Sequence, residues 1–140
     1  MPALDQCHPQ IVRALEKDGW AVDPFPVRLT VETRTVYVDV RASRTRNGNQ
    51  SVVLLSEIKC FPDTTNTTRD LYTAIGQYIM YRAMLVELGA RFPLYLTVPN
   101  HIYETAFDSI VERAISNSQI NLIVVDIETE AVVRWIHNSA

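Results

Sequence analysis

One stretch constrains the fold of this chain more than any other. Residues 51–61, SVVLLSEIKCF, carry Val52, Val53, Leu54 and Leu55 in unbroken succession, shortly after Asn47-Gly48. A strand that is apolar at successive positions must be covered on both faces, which places it centrally in a sheet flanked by helices. Asn-Gly between two strand-like runs is the strongest short-range hairpin signal. The run is therefore one arm of a hairpin whose other arm lies upstream. At its end, Glu57 and Lys59 place two charges on what is otherwise a core strand.

The flanking sequence supplies the cover. LDQCHPQIVRALEKDGW, from Leu4, predicts a first helix with a partial apolar face through Ile11, Leu15 and Val12 or Ala14, stopped by Gly19. Val27, Leu29 and Val31, then Val36, Val38 and Val40, alternate with polar neighbours at strand period, with Glu32-Thr33-Arg34 as a turn. After the polar connector 62–69, a helix is expected from about Thr68 to Leu88, ended by Gly89. Leu71, Ile75, Tyr78, Ile79, Leu85 and Val86 populate one side, and Tyr72, Met80, Tyr81 and Met84 much of the other. A helix apolar around its girth needs cover from more than the sheet, and a second copy of the chain would supply it. RFPLYLTVPN reads as a strand stopped by Pro99, and HIYETAFDSIVERAISN as one amphipathic helix. INLIVVDIETEAVVRWI closes the chain as strand, turn and strand. The order α-β-β-β-α-β-α-β-β predicts an α/β sandwich with a mixed β-sheet, in a single domain over residues 1–140.

Composition narrows the function. A chain of 140 residues buries roughly 70% of its unfolded surface, enough for a core without staples. A net charge of −3 excludes bulk nucleic-acid binding of the basic kind, so any DNA contact needs a local patch. Cys7 and Cys60 are too few for a disulfide framework, and Cys60 is expected to pack as a small apolar residue. MPALDQCHPQ has neither the basic start nor the apolar stretch of a secretory leader. No apolar run approaches the roughly 20 residues that span a bilayer. The expectation is a soluble, cytoplasmic protein of a reducing compartment, with no membrane association.

Two readings fit the charged strand end: solvated termini, or a metal-dependent site. Glu57 and Lys59, two apart, share a face roughly 7 Å apart. Asp39, in VYVDVRAS, lies on the upstream arm. If Asn47-Gly48 alone forms the loop, Asp39 faces Ser56, and Glu57 points to the other side of the sheet. A three-residue loop, Asn47-Gly48-Asn49, pairs Arg46 with Gln50 and sets Asp39 opposite Glu57, with Asn49 in the left-handed conformation. A bulge would restore the same parity. Two carboxylates so placed repel, and a divalent cation relieves the repulsion. Mg²⁺, or Mn²⁺ in its place, accepts one or two carboxylates and keeps waters for itself and a phosphate. Lys59 would then position or deprotonate water, or stabilise phosphate charge.

More residues than these match a known pattern. Asp39, Glu57-Ile58-Lys59 and Gln77-Tyr78-Ile79-Met80-Tyr81 resemble the PD-(D/E)XK nuclease signature with its downstream helical QxxxY element. LEKDGW, YVDV, EIKCF, AIGQYIMYR, LYLTVP and LIVVD followed by VVRWI resemble, in order, the XisH family of cyanobacterial fdxN-element excision controlling factors. The resemblance runs from about His8 to Ile136. It implies a restriction-endonuclease-like fold and a role in programmed DNA excision and recombination, beside a site-specific recombinase and a partner protein, XisI. It implies Asp39, Glu57 and the Ile58 carbonyl as metal ligands, Lys59 as the catalytic lysine, and Gln77 as an orienting residue with Tyr81 one turn on. Arg41 and Ser43 stand where the family usually has Gly and Glu, which leaves Asp39, Glu57 and Lys59 intact.

Arg41, Arg44 and Arg46 lead into the hairpin turn and are candidate phosphate contacts on DNA; a solvated edge is the competing reading. His8, His101 and His137 show no ligand spacing, Glu16 reads as a surface charge, and Trp20 and Trp135 as core or interface anchors. No Gly-rich phosphate loop is present. Two functions are compatible with these residues. One is a Mg-dependent endodeoxyribonuclease, working as a homodimer. The other is a non-catalytic accessory factor that uses a nuclease-like fold to bind a recombinase or an XisI-like partner.

Overall fold

The computed structural model describes residues 6–62 and 64–139. In chain order the elements are α1 (His8–Lys17), β1 (Ala21–Val22), β2 (Val27–Val31), β3 (Arg34–Val38), β4 (Val40–Arg46), β5 (Gln50–Ile58), a 3₁₀ turn (Thr64–Asn66), α2 (Thr67–Glu87), β6 (Leu94–Pro99), α3 (Asn100–Ala106), α4 (Ser109–Asn117), β7 (Asn121–Asp126) and β8 (Ala131–Ile136). Six strands form one mixed sheet in the order β1-β4-β5-β6-β7-β8, and β2 pairs with β3 in a separate two-stranded sheet. β5–β6 and β6–β7 are parallel and the other pairs antiparallel. This is the α/β sandwich with a mixed sheet that the sequence predicts.

The central run behaves as its pattern demands, because alternate residues of β5 enter two cores. Leu55 joins Leu96, Val98, Tyr78 and Tyr81 beneath α2, α3 and α4. Leu54 and Ile58 join Val40, Ala42, Ile123 and Val125 beneath α1. The parallel strands β6 and β7 are almost wholly buried, as both-face cover requires.

Four local expectations are corrected. The start of the first helix at Leu4 lies outside the described residues; the helix begins at His8, with Pro9 in its first turn, where a missing N–H is harmless. The single helix expected after Pro99 is two: Phe107 leaves helical geometry, and Asp108 restarts the chain by accepting from the N–H groups of Ile110 and Val111 at 3.1 and 2.9 Å. The extended run from Arg34 to Arg46 is also broken. β3 turns away to pair with β2, β4 stays in the main sheet, and Asp39 sits at the bend between them.

The fourth correction concerns the cysteines. Cys7 and Cys60 are not separate apolar thiols but are joined by a disulfide that closes a separation of 53 residues, with Cα atoms 5.7 Å apart. The bond ties the residue capping α1 to the segment leaving β5. No described helix is long and apolar enough to cross a membrane.

Candidate active site

The hairpin decides whether the carboxylates meet. Arg46 pairs with Gln50 and Val40 with Ser56, so the loop has three residues and Asp39 comes level with Glu57. The left-handed conformations fall on Asn47 (φ 51°) and Gly48 (φ 79°), not on Asn49 as the loop alone suggests. Asn tolerates that region and Gly enters it without steric cost, so the turn forms unstrained.

Asp39 is held at the end of β5 by its own side chain, since its Oδ2 accepts from the Ile58 N–H at 2.9 Å. That bond turns the Ile58 amide toward the gap that opens where β3 and β4 diverge. In an extended residue the carbonyl leaves on the same side as the N–H, so the Ile58 C=O faces the same gap. Lys59 is half-buried just past the strand, its N–H donating to the Thr97 carbonyl of β6 at 3.0 Å.

Glu57 is the unusual member. It is only 4% exposed, and its Oε1 has no hydrogen-bond partner. Its carboxyl is pushed up to about 9, first by burial, then by hydrogen bonding and repulsion from Asp39; Lys59 and the Tyr81 hydroxyl pull the other way. Burial and the Glu57 and Asp39 charges push the Tyr81 hydroxyl up in turn. Gln77, one turn before Tyr81 on α2, also keeps a buried side-chain oxygen without a partner. Buried polar atoms are nearly always paired, so these two orphaned oxygens stand out.

The residues present fit a hard divalent cation. Asp39, Glu57 and the Ile58 carbonyl form an all-oxygen donor set, and repulsion between the two acids is what a cation relieves. Among the described residues no group of three or more His, Cys, Asp or Glu side chains could hold a metal. The set is therefore too sparse for a closed protein cage. It suits Mg²⁺, which keeps several of its own waters.

Two solved structures are similar to this chain over nearly its whole length. An XisH family protein from Nostoc punctiforme superposes with a TM-score of 0.83 at 30% identity, over 95% of this chain and 100% of its own. A fdxN element excision controlling factor protein from Anabaena variabilis superposes with a TM-score of 0.80 at 30% identity, over 93% of this chain and 97% of its own. The XisH protein family model matches residues 1–133. This chain belongs to the XisH family. A search among curated proteins gives no match.

Within this XisH chain the arginine trio divides. Arg41 pairs with Asp23 at 3.1 Å, beside the contact of edge strand β1 with β4. Arg44 and Arg46 extend from the opposite face of β4, at the far end of the hairpin from Asp39. Glu16 is exposed on α1, across the sheet from Glu57. His137, near the chain end, bonds the Tyr95 hydroxyl at 3.1 Å. Two features beside the site were not legible in the sequence. One is the Cys7–Cys60 bond directly after Lys59. The other is Phe61, a buried aromatic held at φ 54° and pinned between that bond and the α2 core. A bulky residue in this region is costly, and it persists only where its surroundings over-determine it.

Proposed function

We propose that this XisH protein acts on DNA during programmed excision, as a divalent-cation-dependent phosphodiester hydrolase working at Asp39, Glu57 and Lys59. The observation that carries the reading is the level placement of Asp39 and Glu57 on one face, with the Glu57 Oε1 buried and unpartnered. The relative from Anabaena variabilis, named for excision control, supports the choice of DNA as substrate.

Bound Mg²⁺ or Mn²⁺ would acidify a water and neutralise phosphate charge. The chain's own residues do the rest. With a cation bound, Glu57 would release to solvent the proton that burial and Asp39 hold on it, and both carboxylates would be free to hold the ion. The Ile58 N–H holds Asp39 in place, and the Ile58 carbonyl would add a third oxygen. Lys59 offers its ammonium to the phosphate, or orients the attacking water. Tyr81 and Gln77, on α2, hold Glu57 and the water in place.

The test is cleavage of plasmid and short duplex DNA in millimolar Mg²⁺ or Mn²⁺. Wild type should cut, and Asp39→Ala and Lys59→Ala should each be inactive. Equal cutting by both variants would rule the site out.

A second reading is favoured by the sparse donor set and the 4% exposure of Glu57. In it the chain is a non-catalytic accessory factor for a recombinase or an XisI-like partner. Excision support that survives Asp39→Ala and Lys59→Ala would select it. Either way we place the protein as a homodimer, packed through the outer side of α2, where Tyr72 and Val86 are 72% and 73% exposed. A monomer mass by sedimentation at micromolar concentration would refute the dimer.

A further inference from the structure

The face of the sheet away from Asp39 and Glu57 carries a cleft of about 770 Å³. Its lining includes Trp20, Tyr95, Trp135 and His137, with Arg44 and Arg46 among the polar groups. Its size falls in the range of small-molecule sites. The rings form a connected platform. Trp20 and Trp135 lie 5.9 Å apart, Tyr95 meets Trp135 edge-on at 5.4 Å, and His137 stacks over Trp135 at an interplanar angle of 6°. The Arg44 guanidinium lies over the Trp20 ring, 4.4 Å from its centroid. Among the described residues neither Arg44 nor Arg46 has an ion-pair partner, and no acidic residue lines the cleft. The Trp20 indole N–H is buried without an acceptor, although Trp20 is only 6% exposed.

This is not an annex of the carboxylate site. Arg44 pairs with Val52, five residues before Glu57 on β5, so the two sites differ by roughly 17 Å along the strand as well as by face.

We propose that the Trp20–Trp135 cleft binds a nucleobase joined to phosphate, by stacking the base on the indoles and pairing its phosphate with Arg44 and Arg46. A planar cation already occupies the stacking position, which shows that the platform accepts flat groups. Movement of Arg44 from the ring to a phosphate opens the indole face and keeps the guanidinium on an anion. The cleft is a positive patch on a chain of net charge −3, so it selects an anionic ligand locally. Aromatic platforms with basic rims hold unpaired bases of single strands without reading sequence. A free nucleotide presents the same chemistry, and the two sources are separable by experiment. The inference does not depend on hydrolysis at Asp39 and Glu57.

Trp20 and Trp135 are the only tryptophans in the chain, so intrinsic fluorescence reports on the cleft directly. The titration is run in EDTA, which silences the carboxylate site and keeps its failure separate from this one. The probes are a ten-nucleotide oligo(dT), dAMP, the matching duplex and a poly-glutamate peptide. Saturable quenching is expected with oligo(dT) or dAMP. Tighter binding of oligo(dT) marks single-stranded DNA as the source, and equal binding marks the free nucleotide. Arg44→Ala with Arg46→Ala, both exposed and outside the core, should weaken binding at least about tenfold. It should also flatten the salt dependence by about 1.4 in log–log slope, the loss of two single-strand phosphate contacts. No saturable quenching by either nucleic-acid probe would overturn the proposal. So would equal binding by the double variant, equal binding of poly-glutamate, or binding of duplex alone.

Discussion

The two faces of the central sheet are built from the same strands and hold opposite chemistry. Under α2, β5 buries Glu57 beside Asp39, where burial and repulsion keep a proton on an acid. Under α1, the same strand sends Val52 and Leu54 toward a cleft of indoles and guanidiniums. One face gathers carboxyl groups around the buried Glu57; the other sets exposed guanidiniums over largely buried rings. The difference follows from period two along a strand, since adjacent residues serve different layers. It also shows why charge counted over the whole chain says little about a partner: a net −3 does not prevent a cleft rimmed by arginines and free of acids.

The largest effect expected from this contrast is on the acidic face. In the cation-free protein Glu57 holds its proton up to about pH 9, whereas in the unfolded chain it ionises near 4.5. The folded state therefore binds more protons across that window, so stability falls as pH rises through it. This contribution is intact below the unfolded value and fully lost above the folded one. Urea midpoints in EDTA should drop from about pH 5 to about pH 9, and Glu57→Gln, which cannot ionise, should flatten the curve. Saturating Mg²⁺ should restore stability at the alkaline end, and calorimetry in buffers of different ionisation enthalpy should show about one proton released per cation near neutrality. An unchanged pH profile in Glu57→Gln would remove Glu57 from the account, and no equivalent pH effect is expected from the aromatic face.

The next effect tests the aromatic face. The Cys7–Cys60 bond ties α1 to the exit of β5. Replacing both cysteines with serine should lower unfolding stability by about 2–4 kcal/mol, read from denaturant midpoints in oxidising and reducing buffer. If reduction leaves the wild-type midpoint unchanged, the bond contributes nothing to folding. A smaller effect is expected under α2. There the Tyr78 hydroxyl donates to the Leu94 carbonyl at 2.7 Å and accepts from the Asn121 N–H at 3.2 Å. Tyr78→Phe strands the buried Asn121 N–H, while the Leu94 carbonyl keeps its bond from the Asn121 side-chain amide at 3.2 Å, and should destabilise by about 1–3 kcal/mol. Because these bonds tie α2 to the start of β6 and β7, away from Glu57, cation affinity should not move.

How far each face was legible follows from sequence distance. Asp39, Glu57 and Lys59 lie within one hairpin, so local rules narrowed their placement to two registers, and only the pairing of Arg46 with Gln50 selects the one that puts the two acids on one face. The bend at Asp39 was not legible, because Val36, Val38 and Val40 keep one alternation through two sheets. The aromatic cleft draws on residues from Trp20 to His137, and no local pattern brings those together. The disulfide was hidden for the same reason. Two cysteines far apart in the chain carry no pairing signal until α1 folds back across the sheet.

The smallest effect separates helical cover from chemistry. Sequence period predicts one helix through Phe107 and Asp108, because Ile102, Ala106 and Ile110 keep helical spacing. Buried Phe107 instead makes a corner, and Asp108 rebuilds a helix start by satisfying two orphan N–H groups. Among its described residues α4 buries only Ile115, so its stability rests on this cap more than on packing. Asp108→Ala should therefore cost about 1 kcal/mol, with faster amide exchange confined to α4. Cation affinity at Glu57 and quenching in the Trp20 cleft should both stay at wild-type levels, since α4 touches neither. A loss at Glu57 alone would mean that α4 helps keep water from the acidic face. The contrast between the faces would then depend on how completely each is covered, and not on strand parity alone.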